Sequence, residues 1–503
     1  MSTSSELFTV RFDTGSPHEV TEDFTIPDYM PEVRRIVSCN AAPIPENKYI
    51  EGNEIVLSGI VNFTVLYIGE DGKLSAVPVS SEYSAKIQCG SADMSGLSRD
   101  GIVSSTSVTS SSCRAVGPRK LSLGCRLYSK LFSASSRTCR EALTSTEGGK
   151  IQQATTEDEI TIERRKVELT SSSVVTAGTT GNVSGEVRTR PDAKIISCTS
   201  GAGVSDIKTG LRDVIVKGDV YIDFITEDSS GDVTTLRIKN PIEENITVGS
   251  TSTSDRETKN ASAIIRCAGI TVSGGDEGVY TWNMEYDIDI ICSSKKNVHI
   301  TDDIYSTKYE TDVSKEILFP LTCLKNSNSR LTVSSDKQTS GGDTKHVGHV
   351  AGKVTLDKAE CTHDGKLSLS GSCTVYVVTL GGGEISMEEV VIPVKFDCPC
   401  EKSEGGKNVI CEASVMYADA RFDGDRLSVS AELSISLFAY ATVKSEFASE
   451  CKIDRDRTLG KRGSCVKIYF PEEDEDMWDI GKKYHCRVEK ISRLAEGGTV
   501  ILS

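Results

Sequence analysis

The sequence predicts a mainly β protein: three repeated antiparallel β domains followed by a small βααβ domain. Three observations lead there. An alternating strand with a central glycine occurs three times, a second alternating strand follows each copy at a similar distance, and the composition favours strands over helices. The 503 residues include 42 Gly and only 13 Pro, with 37% hydrophobic and 6% aromatic side chains. Together with abundant Ser and Thr, this suits β-branched strands joined by polar turns. The apolar content supports several small cores and is not that of a disordered chain.

The first recurring element is EIVLSGIVNFTVLYIGEDGKLSAVPV at residues 54–79, matched at 213–242 and 366–394. Each copy has a central glycine (Gly59, Gly218, Gly371), then a turn, then a strand ending near Pro78, Pro241 or Pro393. Ile55, Leu57, Val61, Phe63, Val65 and Tyr67 alternate, so they share one face of a half-buried strand. Asp71-Gly72 and Gly381-Gly382-Gly383 supply the positive φ that tight hairpins need. A glycine inside such a strand marks a bulge or a close backbone approach.

The second recurring element starts at Leu121, Tyr280 and Leu427. Tyr280, Trp282, Met284, Tyr286, Ile288 and Ile290 fall on one face. Gly59 to Leu121 and Gly218 to Tyr280 are both 62 residues, and Gly371 to Leu427 is 56. Two landmarks at a kept spacing mean three copies of one unit. A Pro-Asp turn leading into IVSC or IISC precedes the first two hairpins, at residues 26–39 and 190–198. The third copy retains only LFPLTCL at 318–324. The expected domains are 1–148, 149–300 and 301–454, with an exposed basic linker over 455–463 and a terminal module over 464–503.

That module reads as strand, helix, helix, strand. Met477, Ile480 and Tyr484 share one helical face, as do Val488, Ile491 and Leu494 in the second expected helix, within residues 487–496. The acid run at 472–476 precedes the first helix and Lys482 and Lys483 close it, both favourable to the helix dipole.

These phrases carry a resemblance. The Pro-Asp lead-in, the glycine-centred strand and the proline exit resemble the SPOCS domain of spore-forming Clostridia and their relatives, over nearly all of residues 1–450. MWDIGKKY in its strand and helix setting resembles a LysM domain. The combination implies a protein of spore-coat morphogenesis in the mother-cell cytoplasm, at the forespore surface or coat. Its implied partner is the coat's basement-layer ATPase. Two features depart from glycan-binding LysM copies: an acid run replaces the usual Gly-Asp-Thr approach, and the second helix runs straight into Gly497-Gly498. Protein capture is therefore expected ahead of peptidoglycan- or chitin-type glycan binding, which stays as the alternative.

The candidate partner-binding residues are Glu473, Asp474, Glu475, Asp476 and Trp478. Acidic side chains offer complementarity to a basic patch, and a tryptophan beside them suits an interface anchor. Trp478 lies beside, not within, the Met477/Ile480/Tyr484 face, which suits an exposed anchor; a simple packing role is the equal alternative. No catalytic, metal or cofactor site is expected: phosphate-loop, nucleophile-elbow and HExxH phrases are missing from the chain. His346 and His349, three apart in a strand, point to opposite faces and suit zinc only with a turn between them. Cys398-Pro399-Cys400 with Cys411 has the atoms for metal or redox chemistry but no C-x-x-C pair, and reads as turn chemistry. Cys39 and Cys198 hold equivalent repeat positions, which points to packing.

A formal net charge of −16 disfavours nucleic acid as partner. The apolar stretches are too short and interrupted to span a bilayer. The start lacks a basic, apolar leader, so a reducing cytosol and mostly free thiols are expected for the 17 Cys. Whether the chain forms a homo-oligomer is left open.

Overall fold

The computed structural model describes residues 4–90, 92–97, 99–140, 144–146, 162–248, 259–339, 345–381, 384–459, 467–471, 475–493 and 500–502. The first unit comprises β1 (Ser4–Thr25), β2 (Val33–Glu51), β3 (Glu54–Gly69), β4 (Leu74–Gln88), β5 (Val103–Gly117) and β6 (Lys120–Arg140). They form two three-stranded antiparallel sheets, β1-β6-β5 and β2-β3-β4. A short β7 (Thr144–Thr146) follows.

The second unit repeats this order with β8 (Ile162–Arg188), β9 (Lys194–Thr209), β10 (Asp213–Glu227), β11 (Val233–Thr247), β12 (Lys259–Gly274) and β13 (Val279–Ser306). Its sheets are β8-β13-β12 and β9-β10-β11. After β14 (Tyr309–Leu318), the third unit uses β15 (Leu321–Gln338), β16 (Lys345–Cys361), β17 (Lys366–Gly381), β18 (Glu384–Pro399), β19 (Gly406–Asp423) and β20 (Arg426–Thr442). Its sheets are β15-β20-β19 and β16-β17-β18. In every unit the first strand pairs with the last, and the middle three strands form a meander. A further strand, β21 (Ser445–Thr458), lies between β14 and β7 in a separate sheet.

The two sequence landmarks are the central strands of the two sheets in each unit. Their alternating faces meet and make the core. In the second unit Val216, Val220, Ile222 and Phe224 of β10 pack with Trp282, Met284, Tyr286 and Ile288 of β13. In the first, Val61, Phe63, Val65 and Tyr67 pack with Leu121, Leu123, Cys125 and Leu127. The third does the same with Cys373, Val375 and Val377 against Leu427, Val429, Ala431 and Leu433.

The central glycines have a common cause. Each stands opposite a β-bulge in the preceding strand: Gly59 pairs with Pro45, Gly218 with Val204 and Gly371 with Leu356, and the register shifts beside each pair. A bulge pushes backbone towards its neighbour. A Cβ on Gly59 would lie 2.2 Å from Ile44 O, and one on Gly371 would lie 2.1 Å from Thr355 O. Only hydrogen fits there.

The expected boundaries differ from the strands in two places. β13 runs through residue 300 to Ser306, and pairs with β8 throughout. Residues 455–458 of the expected linker belong to β21, while 460–466 and the boundary at 148 lie outside the described residues.

Each unit touches the other two. Leu66, Ile225 and Val378, each seven residues beyond its central glycine, meet in one buried cluster. A second shared cluster joins Phe132, Val174, Ile410, Phe438 and Tyr440. Beside it lies a cavity of about 720 Å³ lined by all three units, among them Lys48, Phe132, Arg266 and Glu412.

The tail holds β22 (Lys467–Tyr469), α1 (Met477–Tyr484), a 3₁₀ turn (Val488–Lys490), β23 (Ile491–Arg493) and β24 (Val500–Leu502). Its sheet order is β22-β24-β23. The expected second helix is therefore corrected to a 3₁₀ turn and a strand where its residues are described; Leu494 lies outside them. A short isolated helix gains little from propensity alone. As a strand, Ile491 instead pairs with Leu502 and is buried against Ile480. Among the described residues no helix is long and apolar enough to cross a membrane.

Candidate partner-docking site

Helix α1 is set by its ends. Asp476 is the N-cap, its carboxylate accepting the Asp479 amide at 2.8 Å while the Asp479 carboxylate accepts the Asp476 amide at 3.4 Å. This reciprocal box satisfies two amides that a helix start leaves open. At the other end His485 adopts φ +50° and Cys486 N donates to Gly481 O at 3.0 Å.

Asp476 is thus a cap, and it also lies 3.6 Å from Arg165. Glu475 accepts Tyr469 OH at 2.5 Å and Lys483 Nζ at 3.1 Å. Contact with Tyr469 and Glu475 holds the Lys483 ammonium above its ordinary range. Glu473 and Asp474 lie outside the described residues. Two of the four acidic candidates therefore have intramolecular partners.

Trp478 is corrected more sharply. It is only 7% exposed, so it cannot serve as a surface anchor. Its indole Nε1–H donates to Asp303 Oδ2 at 2.9 Å, and its ring meets Tyr305 edge-on with centroids 4.8 Å apart. Lys482 Nζ donates to both oxygens of Asp303 at 2.7 and 2.8 Å, and Tyr305 OH donates to Cys486 O at 2.7 Å. The internal packing role holds, but its partner is the second unit. Gly481 permits this approach, since a Cβ there would lie 2.5 Å from Tyr305 OH.

Asp303 was missed by sequence reasoning. A bulge between Thr301 and Asp303 interrupts the β13 register, and Asp302 turns out to pair with Arg165. The bulge re-aims Asp303 towards the tail. Burial opposes its ionisation, but the Lys482 and Trp478 hydrogen bonds prevail and hold its carboxyl below the usual range. The adjacent acids in the otherwise alternating HITDDIYS were the one available signal.

With Trp478 turned inward, the large exposed apolar groups among the tail's described residues are Ile468 (62%) and Phe470 (72%), just before the acid run in sequence. Neither was singled out from the sequence.

The histidines do not converge. A bulge falls between Val347 and His349; His346 Nε2 meets Asp232 at 2.6 Å in an exposed contact, whereas His349 is buried. Thr235 Oγ1 donates its single proton to Gly348 O at 2.8 Å, so the 3.2 Å contact with His349 Nδ1 requires the ring to donate. His349 Nε2 has no hydrogen-bond partner. Burial first, and the Arg237 charge second, lower the His349 pKa to about 4. Among the described residues no group of three or more His, Cys, Asp or Glu is placed to hold a metal. Cys39 and Cys113 both pack against the first unit's core, and the neighbouring Cys113 thiol, then burial, raise the Cys39 thiol, so the packing expected for Cys39 includes a second thiol. Comparison with protein-family models, with curated proteins and with solved structures gave no match for this chain.

Proposed function

We propose that the chain is a non-enzymatic scaffold of spore-coat assembly, which docks the coat's basement-layer ATPase through its tail at the forespore surface. The observation that carries this reading is the tail's orientation. Asp303 holds Trp478 and Lys482 inward, leaving exposed Ile468 and Phe470 outward beside the acid run. An exposed aromatic group that the sequence sets just before a run of acids suits a protein partner with a basic rim and an apolar pocket. A neutral sugar gains little from such charge. The resemblance of the three units and tail to SPOCS and LysM domains supplies the identity of the partner.

The test uses the full chain, with purified basement-layer ATPase in one arm and insoluble peptidoglycan in the other. Phe470→Ala should weaken ATPase capture roughly tenfold or more, as an interface anchor does. Salt should slow association, because the acids act mainly on encounter. Retention on peptidoglycan with no ATPase capture would replace this reading by glycan binding.

A further inference from the structure

The third unit carries a thiol pair that its sequence separates by 39 positions. Cys361 ends β16 and stands opposite Leu367 of β17, whose other neighbour is Cys398 of β18. Cys361 and Cys398 therefore flank one central-strand residue and are held apart by it. Cys400 is placed differently. The turn after Cys361 closes through Thr362 N to Lys366 O at 2.8 Å and uses Gly365 at φ +84°. Beyond β18 the chain folds back over this turn, and Cys400 N donates to Gly365 O at 2.9 Å. That bond sets Cys400 Sγ 2.8 Å from Cys361 Sγ. The separation is within an ångström of the covalent S–S length of about 2.05 Å.

We propose that Cys361 and Cys400 are a disulfide-forming pair, a site for two-electron oxidation by a small disulfide such as oxidised glutathione. Both residues are half-buried, so a small oxidant can reach them. The same ends of the meander in the first two units are Glu51 and Thr209, so the device belongs to the third unit alone. A metal cage is a poorer use of these sulfurs, since no third ligand is in place among the described residues.

The step balances as thiol–disulfide exchange. One thiolate of the pair attacks a sulfur of oxidised glutathione, forming a mixed disulfide and releasing one glutathione thiolate. The second thiol gives its proton to solvent and displaces the remaining glutathione. Two protein thiols become one disulfide, and one oxidised glutathione becomes two reduced. Burial first, and then the Cys361 thiol, push Cys400 up to about 12, so closure should speed up as pH rises. The bond would strap the end of β16 to the segment leaving β18, across the central strand between them.

The experiment treats the reduced full chain with oxidised glutathione and maps non-reduced tryptic peptides. Residues 359–366 carry Cys361, while 396–402 carry both Cys398 and Cys400. The Cys398→Ser chain therefore identifies the partner. The expected product joins these peptides in the wild type and in Cys398→Ser, with two thiols lost and restored by a reductant. Cys361→Ser should abolish it. A bond from Cys361 to Cys398 or Cys411, or both peptides recovered unlinked from folded oxidised chain, would overturn the proposal.

Discussion

The second unit grips the third unit and the tail with similar chemistry but very different redundancy. Towards the third unit, Arg237 binds Asp223 of its own sheet, Asp419 at 2.6 Å and Ala418 O at 2.8 Å. Arg266 holds Glu412 through two nitrogens, and Arg330 returns to Asp219 and Val204 O. Tyr221 and Tyr417 add a ring contact at 4.7 Å. Towards the tail, one carboxylate carries most of the polar load: Asp303, 5% exposed, accepts from both Trp478 and Lys482. Several separate networks fail one at a time, whereas a junction centred on one group fails together. The grip on the third unit is thus spread over several networks, while the grip on the tail is concentrated around Asp303.

The comparison breaks most completely when the shared second unit fails. Gly218→Val places a branched side chain where a Cβ already lies 2.4 Å from Ile265 Cδ1 and 2.8 Å from Gly203 O. A loss of about 3 kcal/mol or more is expected in that unit, read as faster hydrogen exchange through β10 and at both junctions. Gly269→Ala is the control, because nothing lies within 4 Å of its added Cβ. Equal protection in both variants would count against the bulge as the reason for the glycine.

Asp303→Ala separates the two junctions. It leaves the buried Trp478 N–H without its acceptor and the half-exposed Lys482 to water, at a cost of about 2 kcal/mol. Limited proteolysis should then remove the tail while the three units stay protected. Because folding lowers the Asp303 pKa, its contribution is present above the ordinary carboxylate range and is lost as pH falls below it. An unchanged cleavage pattern would mean that Tyr305 and the surrounding apolar contacts suffice.

Acid should act on the other junction at milder pH. His349 of β16 lies against Thr235 of β11, and its pKa falls from 6.5 to about 4 on burial. The unfolded ring takes up a proton that the folded one refuses. Stability is therefore full above pH 6.5 and declines towards pH 4, by about 2 kcal/mol at pH 5. His349→Gln should flatten this dependence in unfolding measurements. A wild-type stability that is level from pH 7 to 5 would show that the ring is hydrated.

The smallest effect sharpens the tail junction alone. Trp478→Phe keeps the ring against Tyr305 but removes the indole donor to Asp303. A loss of about 1 kcal/mol is expected, too little to release the tail and enough to raise its hydrogen exchange. Full release by this change would assign the indole hydrogen bond more than Lys482 carries.

The central strands were legible because their signals are local. Alternation over a dozen residues sorts Ile55 to Tyr67, or Tyr280 to Ile290, onto one face whatever the strand pairs with. A glycine in such a run likewise reports a backbone approach before its source is known, here the bulges at Pro45, Val204 and Leu356. The tail was legible only in part. Its first helix carries its own cap, dipole charges and apolar face, while the second segment was decided by pairing with β24.

What the sequence by itself determined is the unit: its repeat, its two buried strands, the place of each glycine and the first tail helix. Tertiary structure decided the rest. Trp478 finds Asp303 across 175 positions, Arg237 finds Asp419 across 182, and Cys361 meets Cys400 because an amide of Cys400 is bound to the turn between them. Periodicity states which face of an element is apolar. It carries no term for which distant surface will cover that face, because that depends on how whole sheets pack and on bulges that redirect single side chains.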